Sequence, residues 1–110
     1  MPINIKNSKA SFEYKFITKF IAGISLLGTE IKSIRNNQAN ISDAYCIFLD
    51  KELYVKNLHI SEYPNGGHIN HEPKRDRKLL LKKQELDKMM GKVKEKGNSI
   101  IPIRLFINES

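Results

Sequence analysis

D-A-Y-C-I-F-L-D-K-E-L-Y-V-K-N-L-H-I, residues 43–60, decides the fold. Two runs rich in aromatic and aliphatic residues, Asp43 to Asp50 and Leu53 to Ile60, read as strands. Only Asp50-Lys51-Glu52 separates them, so the pair is expected to form a hairpin. Cys46 lies inside the first run and reads as a buried small hydrophobe.

On the N-terminal side, residues 3–11 form a polar lead-in. Phe12, Tyr14 and Phe16 then alternate with Glu13 and Lys15, the period-two pattern of a half-buried strand. Phe20, Ala22, Ile24 and Leu26 repeat it, with Gly23 as a bend or close-packing point. Gly28-Thr29 ends that segment. Thr29 is expected to cap a short helix that buries Ile31 and Ile34 and shows Lys32 and Arg35 on another face. Asn36-Asn37 stops it.

Beyond the hairpin, Pro64-Asn65-Gly66-Gly67 is a flexible loop and Pro73 marks its far end. Leu86, Met89, Met90 and Val93 follow the spacing of an amphipathic helix that Gly97 is placed to terminate. Ser99 to Ile107 reads as a last strand, with Pro102 favouring an edge or early position. The tally is about five strands and two helices. No strand–helix–strand repeat points to a parallel sheet. The expected class is mainly β with attached α: a small antiparallel barrel with two or three flanking helices.

The chain of 110 residues is enough for one domain with one modest core. A single cysteine excludes an internal disulfide and fits a reducing compartment. No apolar run is long enough to span a membrane, and residues 1–9 lack an apolar signal segment, so the expected location is the cytoplasm. The formal net charge of +7 is uneven: residues 1–55 carry +2 and residues 56–110 carry +5. A basic domain of this size favours a polyanion, most commonly nucleic acid.

The charge concentrates beside the loop. Between Lys74 and Lys83 six basic residues face one acid, Asp76. Lys74, Arg75, Arg77 and Lys78 abut Asn70 and His71, side chains that suit phosphate, ribose and base stacking. Lys32 and Arg35 make a second basic spot. A solvated charge run is the plain alternative; the arginines and the neighbouring His and Asn favour binding. His68 and His71 are three apart, but no cysteine or second histidine pair stands nearby, and they read as polar loop histidines rather than metal ligands. No nucleophile–base motif, zinc-protease motif or phosphate loop is present, so no enzyme and no cofactor are expected.

Several stretches match one family. G-T-E-I-K-S-I-R at 28–35, A-N-I-S-D-A-Y at 39–45, N-H-E-P-K-R-D-R-K-L-L-L at 70–81 and G-K-V-K-E-K-G at 91–97 resemble the SmpB family of SsrA-binding (tmRNA-binding) proteins of bacteria and some organelles. N-S-K-A-S-F-E-Y at 7–14 resembles the family's opening motif, and N-L-H-I-S at 57–61 its N-x-H-I strand. The resemblance covers nearly the whole chain, in order. It implies an oligonucleotide-binding-type (OB) antiparallel barrel without enzymatic activity. It further implies binding to the tRNA-like part of tmRNA, and entry of the complex into stalled ribosomes, where a degradation tag is added to the nascent chain in trans-translation. Alanyl-tRNA synthetase and elongation factor Tu would act on the same RNA. The location would be a bacterial cytoplasm or an organelle interior, and a monomer is expected.

Carried over residue by residue, the family's RNA-contact motifs fall on Asn7, Lys9, Glu30, Lys32, Ser33, Arg35, His59, Asn70, His71, Arg75, Arg77 and Lys78; Lys74 joins them from the charge pattern. Two departures stand out. Ile21 precedes Ala22-Gly23 where family members commonly carry an acid, which implies weaker or differently organised tmRNA binding there. Family members also continue past Ile107 with another strand and a basic tail assigned to the ribosomal decoding centre. The 110 residues are therefore expected to form a single RNA-binding domain, truncated relative to the family, that holds tmRNA without licensing tagging alone. The alternative function is a basic adaptor for ribosomal or other RNA with no tmRNA role.

Overall fold

The computed structural model describes residues 3–7, 18–96 and 98–107. Eight strands and two helices fall within them: β1 (Asn4–Lys6), β2 (Gly23–Ile24), α1 (Gly28–Arg35), β3 (Ala39–Asn40), β4 (Tyr45–Leu49), β5 (Glu52–Lys56), β6 (His59–Ile60), β7 (Arg77–Leu80), α2 (Lys83–Lys96) and β8 (Arg104–Phe106). All strand pairing is antiparallel, in a four-stranded sheet ordered β2-β7-β5-β4 and two ribbons, β1-β8 and β3-β6. The class is mainly β with attached helices, as the periodicity indicates. Among the described residues the strands do not close into a barrel. The expected strand through Phe12–Phe16 lies outside the described residues.

The hairpin forms in register, Tyr45 opposite Lys56 and Leu49 opposite Glu52. Its turn is shorter than expected, because Glu52 is already in the strand and only Asp50 and Lys51 make the connection. Both have positive φ, 49° and 67°, the two-residue turn whose twist matches the flanking strands. The run Leu53–Ile60 is not one strand. Asn57 takes φ 58°, and beyond it the chain leaves β4 and pairs as β6 with β3. Neither β3 nor β1, placed here in the polar lead-in, carries an apolar pattern long enough to read from sequence.

The larger revision is β7. Residues 77–80 lie in a basic run, yet they form an inner strand between β2 and β5. The alternation of a strand sets Arg77 and Leu79 toward the core, and Lys78 and Leu80 toward solvent. Gly23 sits opposite Leu80, where an added Cβ would lie 3.3 Å from the Leu80 Cβ. That is the close packing expected of this glycine. The alternation expected around it holds too: Phe20, Ala22, Ile24 and Leu26 are half-buried and the residues between them exposed.

The core has two parts. Ile3, Ile34, Ile41, Ala44, Val55, Leu58 and Ile60 form one, between α1 and the strands. Leu53, Leu86 and Met89 form the other, where α2 covers the sheet, and Cys46 touches both. Burial pushes the Cys46 thiol up to about 12. At the far end Cys46 N–H donates to Ile100 O at 2.9 Å, and among the described residues β8 pairs with β1 alone, which suits Pro102 just before it.

Candidate nucleic-acid interface

Helix α1 organises the basic edge through a buried carboxylate. The helix begins differently from expectation: Leu27, not Thr29, is the capping position. Glu30, at the third helical position, reaches back so that its Oε1 accepts the Leu27 N–H at 2.7 Å. The inward face is then Glu30, Ser33 and Ile34, while Ile31 is exposed. Lys32 and Arg35 stand in solvent as expected, and Asn36 closes the helix with Asn37 at φ 58°.

Two arginines from the basic run converge on Glu30. Arg77 Nε donates to Glu30 Oε2, and neither side chain has any exposed surface. The rest of the Arg77 guanidinium is also consumed internally: Nη1 donates to Leu58 O at 2.6 Å, and Nη2 to Pro73 O at 3.1 Å and Glu72 O at 3.4 Å. Arg77, expected from its charge to meet phosphate, is instead an internal strut tying α1, β5–β6 and the approach to β7. Arg75 takes the outer side of the same carboxylate. Its Nη2 donates to Glu30 Oε1 at 2.7 Å and its Nε to Oε2 at 3.4 Å. Its side chain keeps 34% exposure. Glu30 thus neutralises a buried arginine and orients a surface one.

Burial alone would raise the Glu30 pKa. The bonds from Arg75, the Leu27 N–H and Arg77 outweigh it, so the carboxyl sits below the ordinary carboxylate value. Burial lowers the Arg77 pKa more than Glu30 raises it.

His71 locks the loop to the helix. It is buried, and its Nε2 lies 2.8 Å from Ile60 O, which only accepts, so Nε2 carries a proton. Its Nδ1 faces the Thr29 hydroxyl at 2.9 Å, the role Thr29 has in place of capping. Asn70 closes the loop: its Nδ2 donates to Tyr63 O at 2.7 Å and its Oδ1 accepts from Tyr63 N–H at 3.1 Å and His71 N–H at 3.2 Å. Lys32 Nζ lies 5.4 Å above the Tyr63 ring, which joins loop and helix at the surface. Composition gave no reason to select Tyr63, and it marked Thr29 only as a helix cap; the role of both at this edge depends on contacts between distant segments.

The thirteen expected site residues therefore divide. Lys32, Arg35 and Lys74 are exposed, and Arg75, Asn70 and His59 are half-buried near α1 or on β6. Lys78 projects from the outer sheet face, 3.6 Å from Glu52. Glu30, Ser33, His71 and Arg77 are buried, and so is Asn7, which donates to Pro102 O at 3.2 Å and Ile41 O at 3.4 Å. Ser33 Oγ is buried, with no hydrogen-bond partner among the described residues. Lys9 lies outside the described residues. His68 is exposed, and among the described residues no group of three or more His, Cys, Asp or Glu side chains is placed to hold a metal. Among them, too, no helix is long and apolar enough to cross a membrane.

The antiparallel β frame holds Arg75 beside the exposed Lys32, a cationic edge of the kind that suits a polyanion. The family model described as SmpB protein matches residues 4–110. The SsrA-binding protein of Phocaeicola vulgatus is 56% identical over 108 residues, covering 98% of this chain and 72% of that protein. The SsrA-binding protein of Cytophaga hutchinsonii is 57% identical over 107 residues, covering 97% and 70%. The structure also matches a solved chain described as "tmRNA-SmpB: a journey to the center of the bacterial ribosome", with TM-score 0.79, 39% identity, and coverage of 97% of this chain and 75% of that one. The chain belongs to the SmpB family.

Proposed function

We propose that this chain binds tmRNA (SsrA RNA) and works with it on stalled ribosomes in trans-translation, as an RNA-binding protein and not an enzyme. The family membership supports the RNA and the ribosome as partners. The observation that carries the site is the fixing of Arg75 by Glu30 at 2.7 Å beside the exposed Lys32 on the same helix. A guanidinium held in place loses less freedom on meeting a phosphate than one that must be ordered first.

The RNA-facing set is Lys32, Arg35, Asn70, Lys74 and Arg75, with His59, Lys78 and Lys9 as further contacts. Glu30, Ser33, His71, Arg77 and Asn7 support that set from within. The 110 residues act as one RNA-binding domain. Its tRNA-like target, its monomeric state, a cytoplasmic or organellar setting, and the action of alanyl-tRNA synthetase and elongation factor Tu on the same RNA belong to the same proposal. An adaptor for other RNA without a tmRNA role is the competing reading.

Binding of the chain's own tmRNA to Lys32→Ala, Arg35→Ala, Lys74→Ala and Arg75→Ala tests the set. Each is expected to weaken binding and to reduce the slope of log affinity against log salt by about one, the mark of a lost phosphate contact. Unchanged affinity and slope in all four would contradict it.

A further inference from the structure

Ile69 is 87% exposed, the most exposed of the large hydrophobic side chains among the described residues. A single exposed hydrophobe is ordinary on a protein surface. This one differs in how it is held. Ile69 N–H donates to Gly66 O at 3.2 Å and Gly66 N–H to Tyr63 O at 2.9 Å, so the loop closes on itself. Asn70, the next residue, clamps both backbone groups of Tyr63. Gly66 packs so closely that an added Cβ would lie 2.7 Å from Asn70 Nδ2, and Gly67 takes φ +59°. One residue further, His71 bolts the loop to Thr29 of α1. The fold therefore fixes a short loop whose outermost side chain is apolar, next to the face that bears Lys32.

The chemistry of the loop is not that of a phosphate clamp. Residues 63–71 contain no lysine or arginine, and the exposed Glu62 and Glu72 stand at its two ends. Those carboxylates repel phosphate, so an RNA lying on Lys32 and Arg75 meets the loop with a less charged surface. The flat face of an unstacked base and the carbon side of a ribose are such surfaces. From this we infer that Ile69 is an RNA-contact residue that packs against a base or ribose of the bound RNA, supplying affinity independent of counterion release. The inference rests on the RNA-binding reading above and adds to it a contact of different chemistry.

The test compares Ile69→Ala, Ile69→Leu and Lys32→Ala for binding to tmRNA across a salt series, with thermal unfolding alongside. Ile69→Ala removes three carbons, and half-covering them corresponds to a loss of about tenfold in affinity. The expected result is that loss at every salt concentration, with the wild-type salt slope, an unchanged thermal midpoint and near wild-type binding by Ile69→Leu. Lys32→Ala should instead flatten the slope. Wild-type affinity in Ile69→Ala, beside weakened binding in Lys32→Ala, overturns the inference and leaves the RNA-binding reading standing. A changed salt slope in Ile69→Ala also overturns it, since the side chain would then act through the charges. If neither variant loses affinity, the inference falls, and Arg35→Ala, Lys74→Ala and Arg75→Ala then decide the RNA-binding reading.

Discussion

Glu30 and Arg77, 47 residues apart in sequence, meet as an ion pair with no exposed surface on either side chain. Such a pair adds little stability over a well-packed apolar substitute, but breaking one side of it leaves a buried charge alone. Glu30→Ala strands Arg77 and frees Arg75 together. It is expected to cost about 3–5 kcal/mol in urea unfolding. Arg77→Lys should also destabilise, because an ammonium on a flexible stem cannot reproduce the planar fork that serves Glu30, Leu58 O and Pro73 O. A cost below about 1 kcal/mol for Glu30→Ala, the range of exposed pairs, would contradict the buried arrangement.

The same pair sets an acid limit. Burial raises the Glu30 pKa, but its bonds from Arg75, Leu27 and Arg77 bring it below the ordinary carboxylate value. A depressed carboxyl contributes stability that is fully present above its unfolded pKa and is lost as pH falls through the folded one. Wild-type stability should therefore drop as pH falls below about 4, near the unfolded Glu value. Glu30→Gln, less stable at neutral pH, should show a shallower drop over that range. Parallel acid limbs for the two proteins would exclude Glu30 as the titrating group.

The hairpin turn carries a removable cost. Lys51 sits at φ 67°, in the left-handed region that non-glycine residues occupy at a penalty of about 1 kcal/mol. Lys51→Gly should raise stability by about 0.5–1 kcal/mol, offset in part by glycine's greater unfolded freedom. A lower thermal midpoint would mean that the turn is not of this two-residue type.

Cys46 is expected to be inert. Its thiol, pushed up to about 12 by burial, holds almost no thiolate at pH 8, and the thiolate is the reactive form. Labelling with a thiol-specific disulfide reagent should be slow in the folded protein and fast in urea. Equal rates would place the sulfur at the surface.

Much of the frame was legible because it rests on local periodicity. The hairpin around Asp50-Lys51 and the Leu86–Met89 stripe of α2 follow from patterns within a few residues. What escaped depends on distant partners. Arg77 in R-D-R-K looks like its neighbours until Glu30, far upstream, is seen to draw it inside. That hid β7, since an inward arginine breaks the alternation by which strands are recognised. Thr29 looked like a cap because its use by His71 lies 42 residues away. At the site, the exposed Lys32, Arg35, Lys74 and Arg75 were readable as charge. The internal roles of Ser33, His71 and Asn7 were not, because composition does not distinguish a polar group that supports a surface from one that forms it.

The most direct measurement is binding of this chain to the tmRNA of its own organism and, in parallel, to an elongator tRNA, across a salt series. Affinity for both should fall by about 0.7–0.9 log units per phosphate contact per decade of salt. Tighter binding to tmRNA is expected, with a preference that persists as salt rises, even with the 76% exposed Ile21 before Ala22-Gly23. Weak and equal binding to the two RNAs would contradict it and leave only a basic surface.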